Sequence, residues 1–417
     1  MNIKALRQFC EVSPLVCHNA KFETKWLLSR GINPNIVDDT FLLAYLYDER
    51  LSLDLESLCL RFEIDKAFKE DYGLDVAKLE GQELINRNTK DSRNTILLRN
   101  KLKPLLTKEE LYVYNTILLP ATKTFAKIEN EGICISPQEI ERLIVDIDKK
   151  IIDLDLKNDE YIKTFETISG KKFNVNSYLH RGILIYDLLG YTPLPYAQAE
   201  TYSHEPSTEN KILKKLLDIR ETDTLRKIVK YSSLVGWKET YESLGSICEK
   251  CNKSHIDKIG DNHFVFTNLR LGETTTGRIK SDHPNMQNTP AREGQWTRRV
   301  FISRHKHGLI VECDYDQIEL RLIAGISRDE RLLEEFSMGL DPHVEMAKLA
   351  FNKKNITKMD RFWGKTLNYA IPFGSGASRV AFETGRSLGE AYTWLNRYWK
   401  AHPKLREYLN NIPLKLY

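Results

Sequence analysis

The sequence predicts a mixed α+β protein built from two or three domains. Three observations carry that reading. The chain has 417 residues, more than one compact core accommodates. Apolar stripes at helical spacing, many opened by capping residues, run through most of it. Short apolar runs at 263–268, 299–303 and 310–314 have the length of strands in one sheet.

In order along the chain, Phe22, Trp26 and Leu27 mark a helix stopped by Gly31, and Asp39 can cap a helix over Thr40 to Tyr47. Thr107 with Glu110 forms a capping box, and Gly132 ends an apolar helical stretch through Phe125 and Ile128. Ser136 to Glu139 is a second box with Pro137 in the first turn, opening a long helix with the stripe Ile140, Leu143, Ile144, Ile147, Ile151 and Leu154. Tyr191 to Ser207 reads as an exposed loop. Lys211 to Tyr241 returns to helix and carries Lys211, Lys214, Lys215, Arg220, Arg226, Lys227 and Lys230. Such a run can follow a phosphate backbone, but a charged helix is more often a solvated face, and that reading is preferred. Beyond the 310–314 strand the sequence is mainly helical.

Hydrophobic residues make up 41% and charged residues 29%, which excludes disordered and membrane-embedded classes. The net charge of +4 permits a polyanionic partner without establishing one. Seven cysteines without framework spacing fit a reducing compartment, and the cytoplasm is expected. Residues 1–8 contain no apolar signal core, and no run approaches the roughly 20 apolar residues of a membrane span. Cys248-x-x-Cys251 with His255 and His263 has the spacing of a small zinc knuckle. A lone Cys-x-x-Cys in a reduced chain is more often unmetallated, so no zinc is expected there.

The chemistry concentrates in the second half. Leu309 to Cys313 reads as a strand that would hold Asp314 at its C-terminal end, where a carboxylate can bind Mg²⁺ beside nucleotide phosphates. Arg361, Lys365 and Tyr369 recur every four residues, so a helix from about Met359 presents them on one face. Two cations can pair with a triphosphate while an aromatic ring offers a stacking platform. An exposed amphipathic helix would show the same spacing. Thr276-Gly277-Arg278 and the Asn285 to Arg292 segment gather amide and guanidinium donors suited to minor-groove edges and phosphates, though these are also ordinary loop residues.

Order and spacing together are more specific. Thr276-Gly277-Arg278, Asn285 to Arg292, Asp314 to Arg321, and Arg361-x-x-x-Lys365-x-x-Asn368-Tyr369 follow the order and spacing of the family A DNA polymerases of the bacterial repair and phage replicative type, and the chain resembles that family over nearly its whole length. The resemblance implies a right-hand polymerase: an N-terminal, partial ribonuclease-H-like 3′→5′ exonuclease domain at 1–106, a helical thumb with connecting helices at 107–260, the first part of the palm at 261–326 and part of the fingers at 327–417. It implies primer-template DNA and dNTPs as partners and two Mg²⁺ ions as cofactor. Asp314 resembles the palm carboxylate that binds both metals, and Glu319 the gate against a ribose 2′-OH. Gln317 and His343 resemble residues near the incoming nucleotide, Arg361 and Lys365 the triphosphate-binding pair, and Tyr369 the aromatic beside the incoming sugar, implying acceptance of dideoxynucleotides. Arg278, Asn285, Gln287, Asn288 and Arg292 resemble primer-template contacts.

Several positions depart from the family pattern. Asp316 stands where Ser is usual, Phe362 where a second Arg is common, and Pro372 should break the helix after Tyr369. The second palm carboxylate of the family lies downstream of the fingers, and the sequence given reaches Tyr417 before it. The expectation is that this chain alone polymerises poorly, a second polypeptide supplying the remaining palm. In the N-terminal region Asn19 to Glu23, Asp38-Asp39-Thr40 and Asp91 resemble exonuclease motifs, but Glu23 replaces Asp, Arg87 replaces the usual Tyr, and the first Asp-x-Glu motif would precede Met1. Lost proofreading is expected. The alternatives are an inactive chain that still grips primer-template DNA and a 3′→5′ exonuclease acting through Glu23 and Asp91.

Overall fold

The computed structural model describes residues 2–64, 80–194, 206–245, 247–248 and 253–412. They fall into two compact units, Met1–Ile147 with Gly236–Ile310, and Asp148–Val235 with Val311–Tyr417.

In the first unit a parallel pair, Leu15–Cys17 with Ile36–Asp39, runs into the helices that follow each strand. Asp39 ties both helix starts together. Its buried carboxylate accepts from Asn19 N and Ala20 N at 2.9 Å and from Phe41 N at 3.0 Å, capping the Thr40–Tyr47 helix as the sequence indicates. Leu42, Leu43, Leu58, Leu98, Leu102 and Tyr114 form the core beside it. The Thr107–Glu110 box is formed, and Gly132 at φ 64° ends the Leu119–Glu131 helix. A Cβ on Gly132 would stand 2.8 Å from the Phe266 ring, so the turn needs glycine twice over. The chain then enters an antiparallel sheet in which Asn262–Val265 lies between Ile133–Ile135 and Ile256–Ile259.

The second unit is helical among its described residues. One core gathers Phe165, Leu184, Leu213, Leu216, Leu225 and Ile228; another gathers Leu320, Met346, Leu367, Val380, Trp394 and Tyr398.

The helix marked by Phe22, Trp26 and Leu27 is present as Ala20–Leu28, with Ala20, Thr24 and Leu27 on its inner face and Phe22 and Trp26 exposed. Three local expectations need correction. Lys211 to Tyr241 is two helices, Asn210–Ile219 and Asp223–Gly245, because Arg220 turns extended and the Thr222 hydroxyl accepts from Leu225 N, starting a new turn. Residues 299–303 make only a single bridge, Phe301 to Ile135; the preceding Arg292–Val300 stretch winds as a 3₁₀ helix, held where Thr297 Oγ1 donates to Gly294 O at 2.6 Å. Residues 309–314 form no strand. A strand needs a ladder partner, and none pairs with this segment among the described residues, so Leu309 and Val311 stand 88% and 79% exposed. The Tyr191 to Ser207 loop lies largely outside the described residues, as does Cys251 of the zinc pattern.

Candidate functional site

The predicted helix is present as Lys358–Ala370. Thr357 caps it reciprocally with Asp360, whose Oδ2 accepts from Thr357 N at 3.0 Å and from its hydroxyl at 2.8 Å. It ends two residues before Pro372, which lacks an N–H and crowds the preceding turn. Arg361, Lys365 and Tyr369 occupy one face; Gly364, Leu367 and Asn368 are buried on the other. That inner face lies against the Pro342–Phe351 helix at a distance only glycine allows, since a Cβ on Gly364 would be 2.1 Å from the His343 carbonyl oxygen. Asn368 fixes the crossing by donating to Pro342 O at 2.8 Å.

The crossing positions His343, which is 3% exposed, with its ring centroid 5.8 Å from that of Tyr369. Burial holds its pKa below the usual histidine value; Asp341 opposes this, and the Arg361 and Lys365 cations reinforce it. Arg361 Nε lies 2.6 Å from Asp341 Oδ2, while Asp341 Oδ1 caps the histidine-bearing helix by accepting from His343 N. Lys365 has no carboxylate partner among the described residues, and its Nζ lies 6.0 Å from the Tyr369 ring centroid.

Opposite this helix comes the segment that opens Ile318–Ser327. Gln317 at φ 51° makes the bend, and Glu319 sits in the first helical turn. Asp314, Tyr315, Asp316, Gln317, Ile318 and Glu319 line one cavity of about 480 Å³ together with His343, Arg361, Lys365 and Tyr369. Burial raises the Tyr369 phenol pKa, with Glu319, Asp316 and Asp314 adding in that order. Gln317 Oε1 is buried without a partner, an acceptor available to a ligand. The cavity thus combines two cations, three carboxylates and two tyrosine rings. Among the described residues no group of three or more His, Cys, Asp or Glu could hold a metal, so the carboxylates present do not complete a metal site.

A family model for DNA polymerase family A matches residues 148–415. The chain belongs to DNA polymerase family A. It is 29% identical to DNA polymerase I of Synechocystis sp. over 97% of this chain and 40% of that protein. It is 30% identical to DNA polymerase I of Helicobacter pylori strain J99 over 98% of this chain and 43% of that protein. The chain therefore spans about two fifths of the length of these curated relatives. The solved POL domain of Pol1 from M. smegmatis, in complex with DNA primer-template and dNTP, has the same fold, with a TM-score of 0.75 at 23% identity, covering 98% of this chain and 67% of that one.

In this family A chain the segment compared with a primer-template contact surface belongs to the first unit. Asn285 caps a 3₁₀ turn by accepting from Gln287 N at 3.0 Å. Gln287 spends its amide on the fold, accepting from Ser281 N at 3.0 Å and donating to Ile279 O at 2.8 Å. Asn288 lines a small cavity with Tyr241 and Phe301, and Arg292 stands at φ 52°. Arg278 is likewise engaged within the fold.

The residues compared with an exonuclease site differ in how they are held. Asp91 pairs with Arg87 at 3.2 Å, and Arg87 also pairs with Glu56. Burial pushes Glu23 up to about 7, and its Oε2 has no partner. Sequence reasoning missed Asp341, Gly364 and Asn368 as the groups that orient the cavity's helix. A glycine inside a strongly patterned helix was the available signal for close backbone approach.

Proposed function

We propose that this chain carries the nucleotide-handling core of a template-directed DNA polymerase that adds dNTPs to a primer 3′ end. The observation that supports this best is the single cavity assembled from 314–319, His343 and the Arg361, Lys365, Tyr369 face. In this reading Arg361 and Lys365 neutralise the triphosphate while the primer 3′-OH attacks the α-phosphate in line. Tyr369 stands beside the incoming sugar, Glu319 blocks a ribose 2′-OH, and neutral His343 and Gln317 Oε1 complete the polar lining. The Arg278 to Arg292 residues contact primer-template DNA, the 107–260 helices act as thumb, 261–326 as palm and 327–417 as fingers, and residues 1–106 are an exonuclease-like remnant. The setting is the cytoplasm; among the described residues no helix is long and apolar enough to cross a membrane.

Mg²⁺ is the cofactor this reading requires, with Asp314 as one ligand. The two-metal arrangement needs ligands beyond those the described residues bring together, and the roles assigned above do not pass through the metal. Exposed Leu309, Ile310 and Val311 fit the same picture. We propose that a complementary strand layer, carrying a further carboxylate, covers them in the working polymerase, supplied by additional polypeptide.

Primer extension with Mg²⁺ and dNTPs, with Asp314→Ala as control, tests this reading. Incorporation that disappears in Asp314→Ala supports it. Salt-sensitive primer-template binding without incorporation fits either a chain that awaits the further carboxylate or one that binds DNA and catalyses nothing, and dATP binding that Lys365→Ala weakens separates the first from the second.

A further inference from the structure

The basic Asn210–Ile219 helix makes a contact that a solvated face does not need. Lys215 Nζ donates to Phe382 O at 3.1 Å and Glu383 O at 3.3 Å, and lies 2.9 Å from Glu383 Oε2. Both carbonyls belong to the last turn of the Ala377–Thr384 region, where helix C=O groups lack intrahelical partners. Lys215 therefore completes the C-cap of a helix more than 160 residues away, with its charge at the negative end of that helix. Its Nζ also stands 4.4 Å from the Phe382 ring centroid. Phe382 is 2% exposed and packs into the core of Leu213, Leu216 and Ile228 rather than that of its own neighbours.

Beside this anchor the packing is open. A cavity of about 350 Å³ separates Lys215, Asp218 and Ile219 from Met359, Phe362 and Trp363, the first turns of the helix that carries Arg361 and Lys365. Phe362 is the position where the sequence departs from the family's common second Arg, and an apolar ring suits a cavity that also receives Ile219 and Met359. The Ala377–Thr384 helix, which follows the Lys358–Ala370 helix in the chain and packs against it, is thus tied to the basic helix through Lys215 with Phe382 and Glu383.

We propose that Lys215 is a positioning residue for the nucleotide site: by capping the Ala377–Thr384 helix from outside, it fixes how the Arg361, Lys365 and Tyr369 face stands in its cavity. The proposal rests on the reading of that cavity as a dNTP site. Lys215 touches no ligand and acts only through the helix end.

Isothermal titration of the full chain with dATP tests it, at a temperature where every variant is folded. Lys215→Met should weaken dATP binding about threefold to tenfold, the range of one partly buried charge pair. Lys215→Arg, which keeps a donor for the carboxylate and carbonyls, should restore affinity to within about twofold. Lys365→Ala serves as the reference that removes a direct contact. If Lys215→Met leaves dATP affinity unchanged while Lys365→Ala lowers it, the positioning role is wrong and the nucleotide site stands. If the unaltered chain binds no dATP, both fall. Should Lys215→Met fail to fold, Lys215→Gln decides the question by the same comparison.

Discussion

The two units use the same residue types to opposite ends. In the first unit, charges are neutralised inside the fold: Glu129, 1% exposed, pairs with Lys21 and with Lys25 at 3.0 Å, and Asp38 pairs with Arg99 and Lys103 at 2.7 Å. In the second unit Lys365 faces a cavity with no carboxylate partner among the described residues, and Asp314, Asp316 and Glu319 line that same cavity with Tyr369. Paired buried charges specify packing; charges gathered on an open cavity have electrostatic work left for a ligand. Asp91 belongs in part to the first kind, its Oδ2 paired with Arg87, whereas Glu23 Oε2 is buried without a partner.

The sharpest way to break that contrast is at Glu129. Glu129→Gln leaves Lys21 and Lys25 facing a neutral amide and should destabilise the chain by about 3 kcal/mol in denaturant unfolding, with dNTP affinity unchanged. Gly364→Ala attacks the other unit through packing. The added methyl meets the His343 carbonyl, and a loss of about 2 kcal/mol should come with weaker dNTP binding, because the helix must move off its neighbour. Lys365→Ala should show the reverse balance to Glu129→Gln. It should lower dNTP affinity at least about tenfold while shifting stability by under about 0.5 kcal/mol, because the side chain is exposed and unpaired with carboxylate.

A pH titration sharpens the comparison further. Burial raises Glu23 from 4.5 to about 7 and Asp39 from 3.8 to about 6. Both folded values lie above the unfolded ones, so their contribution to stability is fully present below about pH 4 and is lost as pH rises through 6 to 7. Denaturant midpoints should fall across that window, and Glu23→Gln should flatten the upper part of the slope. The smallest effect is expected for Asp91→Asn, which breaks an i,i+4 pair one third exposed: a change within about 0.5 kcal/mol and no change in any nuclease activity.

What was legible in the sequence was local. The caps at Asp39 and Thr107, the stop at Gly132 and the end of the Lys358–Ala370 helix before Pro372 depend on residues within a few positions of each other, and all are formed; of the Ser136 box only the half in which Ser136 Oγ accepts from Glu139 N is present, because Ser136 N donates to Val300 O. The grouping of Gln317, Glu319, His343, Arg361, Lys365 and Tyr369 around Asp314 came from the order of motifs, and one cavity contains them all. What was illegible needed distant partners. Leu309 to Cys313 has a strand's composition but no ladder to join among the described residues. Lys21 and Glu129 meet across 108 residues, and Lys215 caps a helix from a segment that reads as a solvated stripe.

Titration of dATP into the chain and its Arg361→Ala/Lys365→Ala double variant tests the central claim most directly. Saturable binding by the unaltered chain, weakened at least about a hundredfold in the double variant with its unfolding midpoint preserved, is the predicted result. Equal affinity in the two proteins, or no binding by either, would contradict the assignment of this cavity to a nucleoside triphosphate.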